Sequence, residues 1–206
     1  MPSFKSLLEY FPQLESIYPE KVIQWLKGQG SGQILENEMG NRILYPQTIP
    51  LSERELFLEM AILREALKVQ PSKYYNRNLN RLFIDVDFLE RFPDASSLVQ
   101  AFVDALQPVG LVSLILRSEN VGSKSVGTLL RPRILKPEGK VTLWVGNQKY
   151  DIEIGSFITI PSSLNHLTIK FDSPVAKILD HHKLVAEVSG GRLGVVVDTR
   201  GKEVEV

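Results

Sequence analysis

Asp85 and Asp87 alternate within Leu82-Phe-Ile-Asp-Val-Asp-Phe88. On a strand, a spacing of two puts both carboxylates on one face, with Ile84, Val86 and Phe88 on the other. Such a pair can hold a divalent cation or share a proton. No third ligand lies near them in the sequence, so a solvent-facing strand edge accounts for them as well. Asp180-His181-His182 invites a metal reading, with His166 further away. Adjacent strand residues face opposite ways, so His181 and His182 would not share an ion, and a solvated loop between strands explains them better. No Gly-x-Ser-x-Gly elbow presents a nucleophile. Gly30-Ser-Gly32 lacks the Lys-Ser/Thr of a phosphate loop, and Gly190-Gly-Arg-Leu-Gly194 leads into a strand rather than a helix. Cysteine is absent, which removes thiolate nucleophiles, thiolate metal sites and disulfides. The sequence therefore assigns no catalytic, cofactor-binding or metal residue.

Recognition is the chemistry that remains. Trp144, the pair Tyr74-Tyr75 and the basic Arg131-Pro-Arg133 form the expected interaction surface, because aromatic and arginine side chains dominate protein interfaces. Trp25 is a further aromatic candidate. Alternation sets Trp144 on the face opposite Leu143 and Val145, which leaves it exposed or packed on the helical part. Arg131-Pro-Arg133 also suits a sheet edge, where proline and charge discourage further pairing.

These residues must be positioned by a chain of 206 residues, 43% hydrophobic and 23% charged, an ordinary composition for a folded protein. The formal net charge of zero lacks the basic excess of a nucleic-acid binder and weakens a case for an anionic membrane surface. No run approaches the roughly 20 apolar residues of a spanning helix. The opening is amphipathic and lacks a signal-peptide pattern, so a cytoplasmic location is expected.

The first part reads helical: 3–14, a helix starting at Pro19, and above all a helix after Ser52, whose capping box with Glu55 precedes an apolar stripe of Leu56, Met60, Leu63 and Leu67. Gly28–Gly32 reads as a loop. A strand at Leu82–Phe88, a helix capped by Asp94 and a strand at Leu111–Leu116 suggest a parallel crossover unit. After Asn120 the pattern alternates every second residue, with strands expected at Thr128–Ile134, Val141–Val145, Lys149–Ile154, Phe157–Ile160, Leu167–Phe171, Leu184–Ser189, Arg192–Asp198 and Glu203–Val206. Gly190-Gly191 reads as the turn of a hairpin, and Leu193–Val197, apolar on both faces, as a covered central strand. The fold class is α+β: helices and a small α/β unit over 1–120, then an antiparallel β-sandwich or barrel-like domain over 121–206, with a hinge at Ser118–Gly127.

Three segments in order, Arg42-Ile-Leu-Tyr-Pro-Gln-Thr-Ile-Pro50, Asp104-Ala-Leu-Gln-Pro-Val-Gly110 and Lys183 through Asp198-Thr-Arg-Gly201, resemble the rear part of the MutL/GlmL accessory proteins of adenosylcobalamin-dependent glutamate mutase. The resemblance implies kinship with actin/Hsp70-superfamily ATPases that reactivate the cobalamin enzyme. It does not extend to the Asp-x-Gly-Ser-Thr and Asp-x-Gly-Gly-Ala-Thr segments of their nucleotide pocket. Where that family is expected to carry a Gly-Ser-Gly-Gly-type loop, this chain has Phe83-Ile-Asp-Val-Asp87, whose side chains and charges oppose phosphate approach. The chain is then a piece of a longer protein or a shortened relative without the ATPase core. The expectation is a non-enzymatic protein-binding or scaffold module without a cofactor. Its partner would be another protein, either a cobalamin-dependent mutase subunit or the missing ATPase part, and neither nucleic acid nor membrane. The alternative is a part of an ATP-dependent reactivating factor. A hydrolase or metalloenzyme built on Asp85, Asp87 or the histidine pair is the remotest reading.

Overall fold

In a computed structural model of the chain, the described residues are 19–26, 36–41, 50–92, 94–118 and 122–201. They form an α+β fold that divides into two units. One contains the described residues up to Pro71 together with Val86–Leu106, and the other contains Ser72–Asp85 and residues 107–201. The chain thus leaves the first unit, returns and leaves again. The boundary expected at 120/121 falls in the connection between two paired strands of the second unit.

The first unit is helical: Pro19–Gln24, a turn of helix at 36–41, Glu53–Val69, Val86–Arg91 and Ala95–Leu106. Ser52 caps the long helix by accepting from the Glu55 amide at 3.3 Å, and the Glu55 carboxylate reaches back to the Leu51 amide at 2.7 Å. Asp94 likewise caps Ala95–Leu106 through the Ser97 amide at 2.7 Å. Each cap satisfies a helix-end donor that has no partner within the helix. The long helix is buried over every residue from Leu58 to Leu67, so its charged residues go inside with the apolar stripe. Buried charge persists only when compensated. Arg64 places Nε and Nη2 on Asp104 Oδ2 at 2.9 and 2.6 Å, and Glu65 accepts from Trp25 Nε1 at 2.7 Å and Lys68 Nζ at 2.9 Å. Trp25 is therefore an internal anchor of this unit, with Arg64 and Lys68 stacked on its ring at 4.9 and 4.6 Å.

The second unit begins within the short helix Pro71–Tyr74 and goes on to strands β1 (Tyr75–Asn76), β2 (Arg81–Asp85), β3 (Gly110–Ser118), β4 (Gly122–Arg131) and β5 (Arg133–Ile134). It continues with β6 (Lys140–Val145), β7 (Gln148–Glu153), β8 (Phe157–Ile160), β9 (Leu167–Asp172), β10 (Ala176–Lys177), β11 (Lys183–Val188) and β12 (Gly194–Asp198). They make a six-stranded sheet β1-β2-β3-β4-β12-β8, a four-stranded sheet β11-β9-β6-β7 and a two-stranded ribbon β10-β5. β2 and β3 are parallel, as the crossover reading expects. One hydrophobic cluster draws Leu130, Ile160, Val195 and Val197 from the larger sheet and Val141, Leu143, Ile152, Ile169, Phe171 and Val188 from the smaller. This is the sandwich core, and the sheets are not closed into a barrel.

Several expectations change. The larger sheet is mixed rather than antiparallel, because β12 runs parallel to β4 as β2 does to β3. The Gly190-Gly191 hairpin does not form: β11 pairs with β9, while β12 lies between β4 and β8 in the other sheet. The physical reason is burial. Every residue of β12 is buried, whereas β11 alternates toward solvent, so the two strands cannot occupy equivalent places. The glycines serve a crossing between sheets, through a short 3₁₀ turn at Gly191–Leu193. The strand expected over Leu82–Phe88 ends at Asp85, where the helix Val86–Arg91 starts. The expected hinge is largely strand, since Gly122–Gly127 belongs to β4. The helix at 3–14, the loop at Gly28–Gly32, 42–49 of the first resembling segment and the strand at Glu203–Val206 lie outside the described residues. Among the described residues, no helix is long and apolar enough to cross a membrane.

Gly194 is the tightest point of the crossing. It has φ +68°, and a Cβ there would stand 2.3 Å from the Ile160 carbonyl oxygen. Gly194→Ala is expected to destabilise the fold by about 3 kcal/mol, from left-handed strain plus overpacking. Chemical denaturation of the variant checks this, and a change below about 1 kcal/mol would contradict the crossing geometry.

Candidate functional site

Parallel pairing of β12 with β4 brings Asp198, at the end of one, beside Arg131, at the end of the other. Asp198 is fully buried and Arg131 is 6% exposed. Arg131 Nε meets Asp198 Oδ2 at 3.0 Å. On its other side the carboxylate accepts from the Arg200 amide at 3.1 Å and from Arg200 Nε and Nη2 at 2.9 and 3.2 Å. The rest of the Arg131 guanidinium holds the preceding loop: Nη1 donates to the Pro108 carbonyl at 3.2 Å and Nη2 to Gln107 Oε1. One arginine thus fastens Gln107-Pro108 to Asp198-Thr-Arg-Gly201, joining parts of two of the three segments that carry the family resemblance. A planar fork with five donors suits this task, and a lysine cannot reproduce it.

Thr199 extends the clamp. Its hydroxyl donates to the Glu153 carbonyl at 2.7 Å and accepts from the Ser156 amide at 3.0 Å, while its backbone pairs with Gly155 and Ser156. Gly201 closes it at φ +72°, where a Cβ would stand 2.3 Å from Ile134 Cγ1. The polar turn is therefore an internal fastening.

Above the clamp, the backbone takes conformations that side chains disfavour. Gln107 has φ +47°, and Leu179 and Asp180 have φ +48° and +64° as the two central residues of a tight turn bridged by Ile178 and His181. Such turns favour Asn, Asp or Gly, and a leucine there costs of order 1–3 kcal/mol. Leu179 is nevertheless 60% exposed, as is Val109 at 59%. The Leu179 side chain reaches Gly110, with Cδ2 3.7 Å from the position of a Cβ on that glycine. Gly110 in turn pairs with Arg131. Two exposed apolar side chains, Leu179 itself on strained backbone and Val109 two residues after the strained Gln107, form the candidate site with the buried ion pair.

The residues singled out in the sequence scatter. Arg131 is buried as the clamp and Arg133 is exposed on β5, pairing with Lys177 of β10. Trp144 is half-buried on the smaller sheet, with Lys149 Nζ 6.0 Å from its ring centroid. Tyr75 is half-buried in β1. Tyr74 is fully buried and is no surface anchor: the Lys73 and Arg117 cations lie over its ring at 5.2 and 5.3 Å. Asp85 is taken by a guanidinium fork, with Arg117 Nε and Nη2 at 3.0 and 3.3 Å, while Asp87 sits in the following helix, so the two do not share a strand face. His181 and His182 are exposed in the turn before β11, and His182 Nδ1 lies 2.8 Å from the Ser173 carbonyl. Among the described residues, no three His, Cys, Asp or Glu side chains come together as metal ligands. Sequence reasoning missed Val109, Leu179 and Gln107. Asp180 is the one turn-favouring residue of the Leu179 turn, and the leucine before it masks that local signal.

Arg131→Met should cost up to about 3–5 kcal/mol, because the buried Asp198 then keeps only the part-exposed Arg200 as its cation. Arg131→Lys should recover only part of this, since it keeps the charge and loses the fork. Urea denaturation of both variants checks the order. Burial, reinforced by the Asp85 carboxylate and opposed by Arg117, pushes the Tyr74 phenol well above its usual range. The unfolded chain therefore releases this proton near pH 10 while the folded one keeps it, and stability falls with rising pH above that point. The alkaline fall in Tm should be shallower in Tyr74→Phe, by up to about 1.4 kcal/mol per pH unit in stability. Identical alkaline slopes would contradict the buried neutral phenol. No protein-family model, curated protein or solved structure matches this chain.

Proposed function

We propose that this chain is a non-enzymatic protein-binding or scaffold module, related to the accessory proteins of adenosylcobalamin-dependent glutamate mutase. The observation that carries this reading is the commitment of the resembling segments to the Arg131–Asp198 clamp. Their polar groups hold backbone, and what the clamp presents outward is apolar: Val109 and Leu179. Exposed apolar side chains on a preorganised frame suit recognition, because the frame is ordered before binding and little entropy is lost on docking. Backbone strain gathered at one exposed corner points the same way, since strain persists where the surrounding structure enforces it and function uses it. A cytoplasmic protein partner, a cobalamin-dependent mutase subunit or an ATPase component that works with it, fits both this surface and the resemblance.

Two titrations test the reading. Calorimetry with Mg-ATP should give no saturable heat, and titration with purified subunits of a cobalamin-dependent mutase should give a stoichiometric complex. Saturable ATP binding would instead support a part in an ATP-dependent reactivating factor and overturn the scaffold reading.

A further inference from the structure

The Leu179 turn lies beside two opposed cations, and the two together define a partner. In the ribbon β10-β5, Arg133 stands directly opposite Lys177, and like charges in that position repel. On the neighbouring clamp, Arg131 and Arg200 both pair with the carboxylate of Asp198. Ile134 of the ribbon packs on Gly201, next to Arg200, and Leu179 lies two residues beyond Lys177. The like pair Arg133 and Lys177 therefore stands next to the Leu179 turn, in a chain whose formal net charge is zero. Repulsion across two short strands is relieved when a partner brings carboxylates, and the exposed apolar side chains of Leu179 and Val109 ask for an apolar counterpart.

We infer that Val109, Leu179, Arg133 and Lys177 form a docking surface for an acidic segment of a partner protein that carries apolar side chains among its carboxylates. Val109 and Leu179 take the apolar side chains, while Arg133 and Lys177 pair with the flanking acids. The strained Leu179 keeps most of its side chain outside, where its contact at Gly110 offsets little of the strain. This assignment rests on the protein-binding reading above and names the surface and the chemistry of its partner.

The full chain is titrated by fluorescence anisotropy with short labelled peptides in which Leu alternates with Glu, with Lys or with Ser, and with a single-stranded oligonucleotide. The Glu–Leu peptide should bind about tenfold or more tightly than the others. Arg133→Glu combined with Lys177→Glu should reverse the preference toward Lys–Leu, which general destabilisation cannot do. Leu179→Gly should weaken the Glu–Leu peptide while keeping or raising Tm, because glycine relieves the left-handed backbone. Equal binding of the three peptides overturns the inference, as does an oligonucleotide that binds as tightly as Glu–Leu. Glu–Leu binding that both sets of substitutions leave unchanged overturns this surface but leaves the protein-binding reading standing. No binding by any peptide or by the mutase subunits overturns both.

Discussion

A single carboxylate without solvent exposure, Asp198, sets the constraint to which much of the second unit answers. A charge in that position needs compensation on every side, and it has it from Arg131 across the sheet and from Arg200 two residues along its own chain. Meeting that demand fixes where β4 and β12 end and where the Gln107-Pro108 loop lies. Thr199 then ties the β7–β8 turn to the same point. Desolvation makes such a pair a weak source of net stability, and its better-attested effect is to select one arrangement among several that are equally hydrophobic.

The first unit uses the same device in helices. A helix buried over ten residues in succession, Leu58 to Leu67, would be acceptable as a purely apolar element. Instead it carries Arg64 and Glu65 inward, and each finds a specific partner in Asp104, Trp25 or Lys68. An apolar stripe alone permits a helix to rotate or slide by one ridge, whereas a guanidinium on a carboxylate at 2.6 Å permits one rotation only.

Rigidity at the clamp and strain at the Leu179 turn belong together. A leucine in the left-handed region relaxes unless its neighbours hold it, and here the neighbours are a bridged turn on one side and Gly110, paired to Arg131, on the other. What is held outward is apolar. The same economy accounts for Asp85, which the sequence offers as a possible ligand and which Arg117 holds.

Local chemistry made much of the fold legible from residues alone. Ser52 with Glu55, and Asp94 with Ser97, mark helix starts because capping is a contact between near neighbours. Phe157–Ile160 and Val141–Val145 declare themselves as strands by alternation, and the uniformly apolar run before Asp198 declares a covered one. Partner choice was beyond the sequence. Gly190-Gly191 satisfies the local requirements of a hairpin, and only the burial of β12 beside β4 and β8 sends the two strands to different sheets. The candidate site was hidden for the same reason. Gln107, Arg131, Leu179 and Asp198 are distant along the chain, and nothing local in any of them encodes the others. Their meeting is decided by which strands pair, a property of the whole packed molecule rather than of any window of sequence.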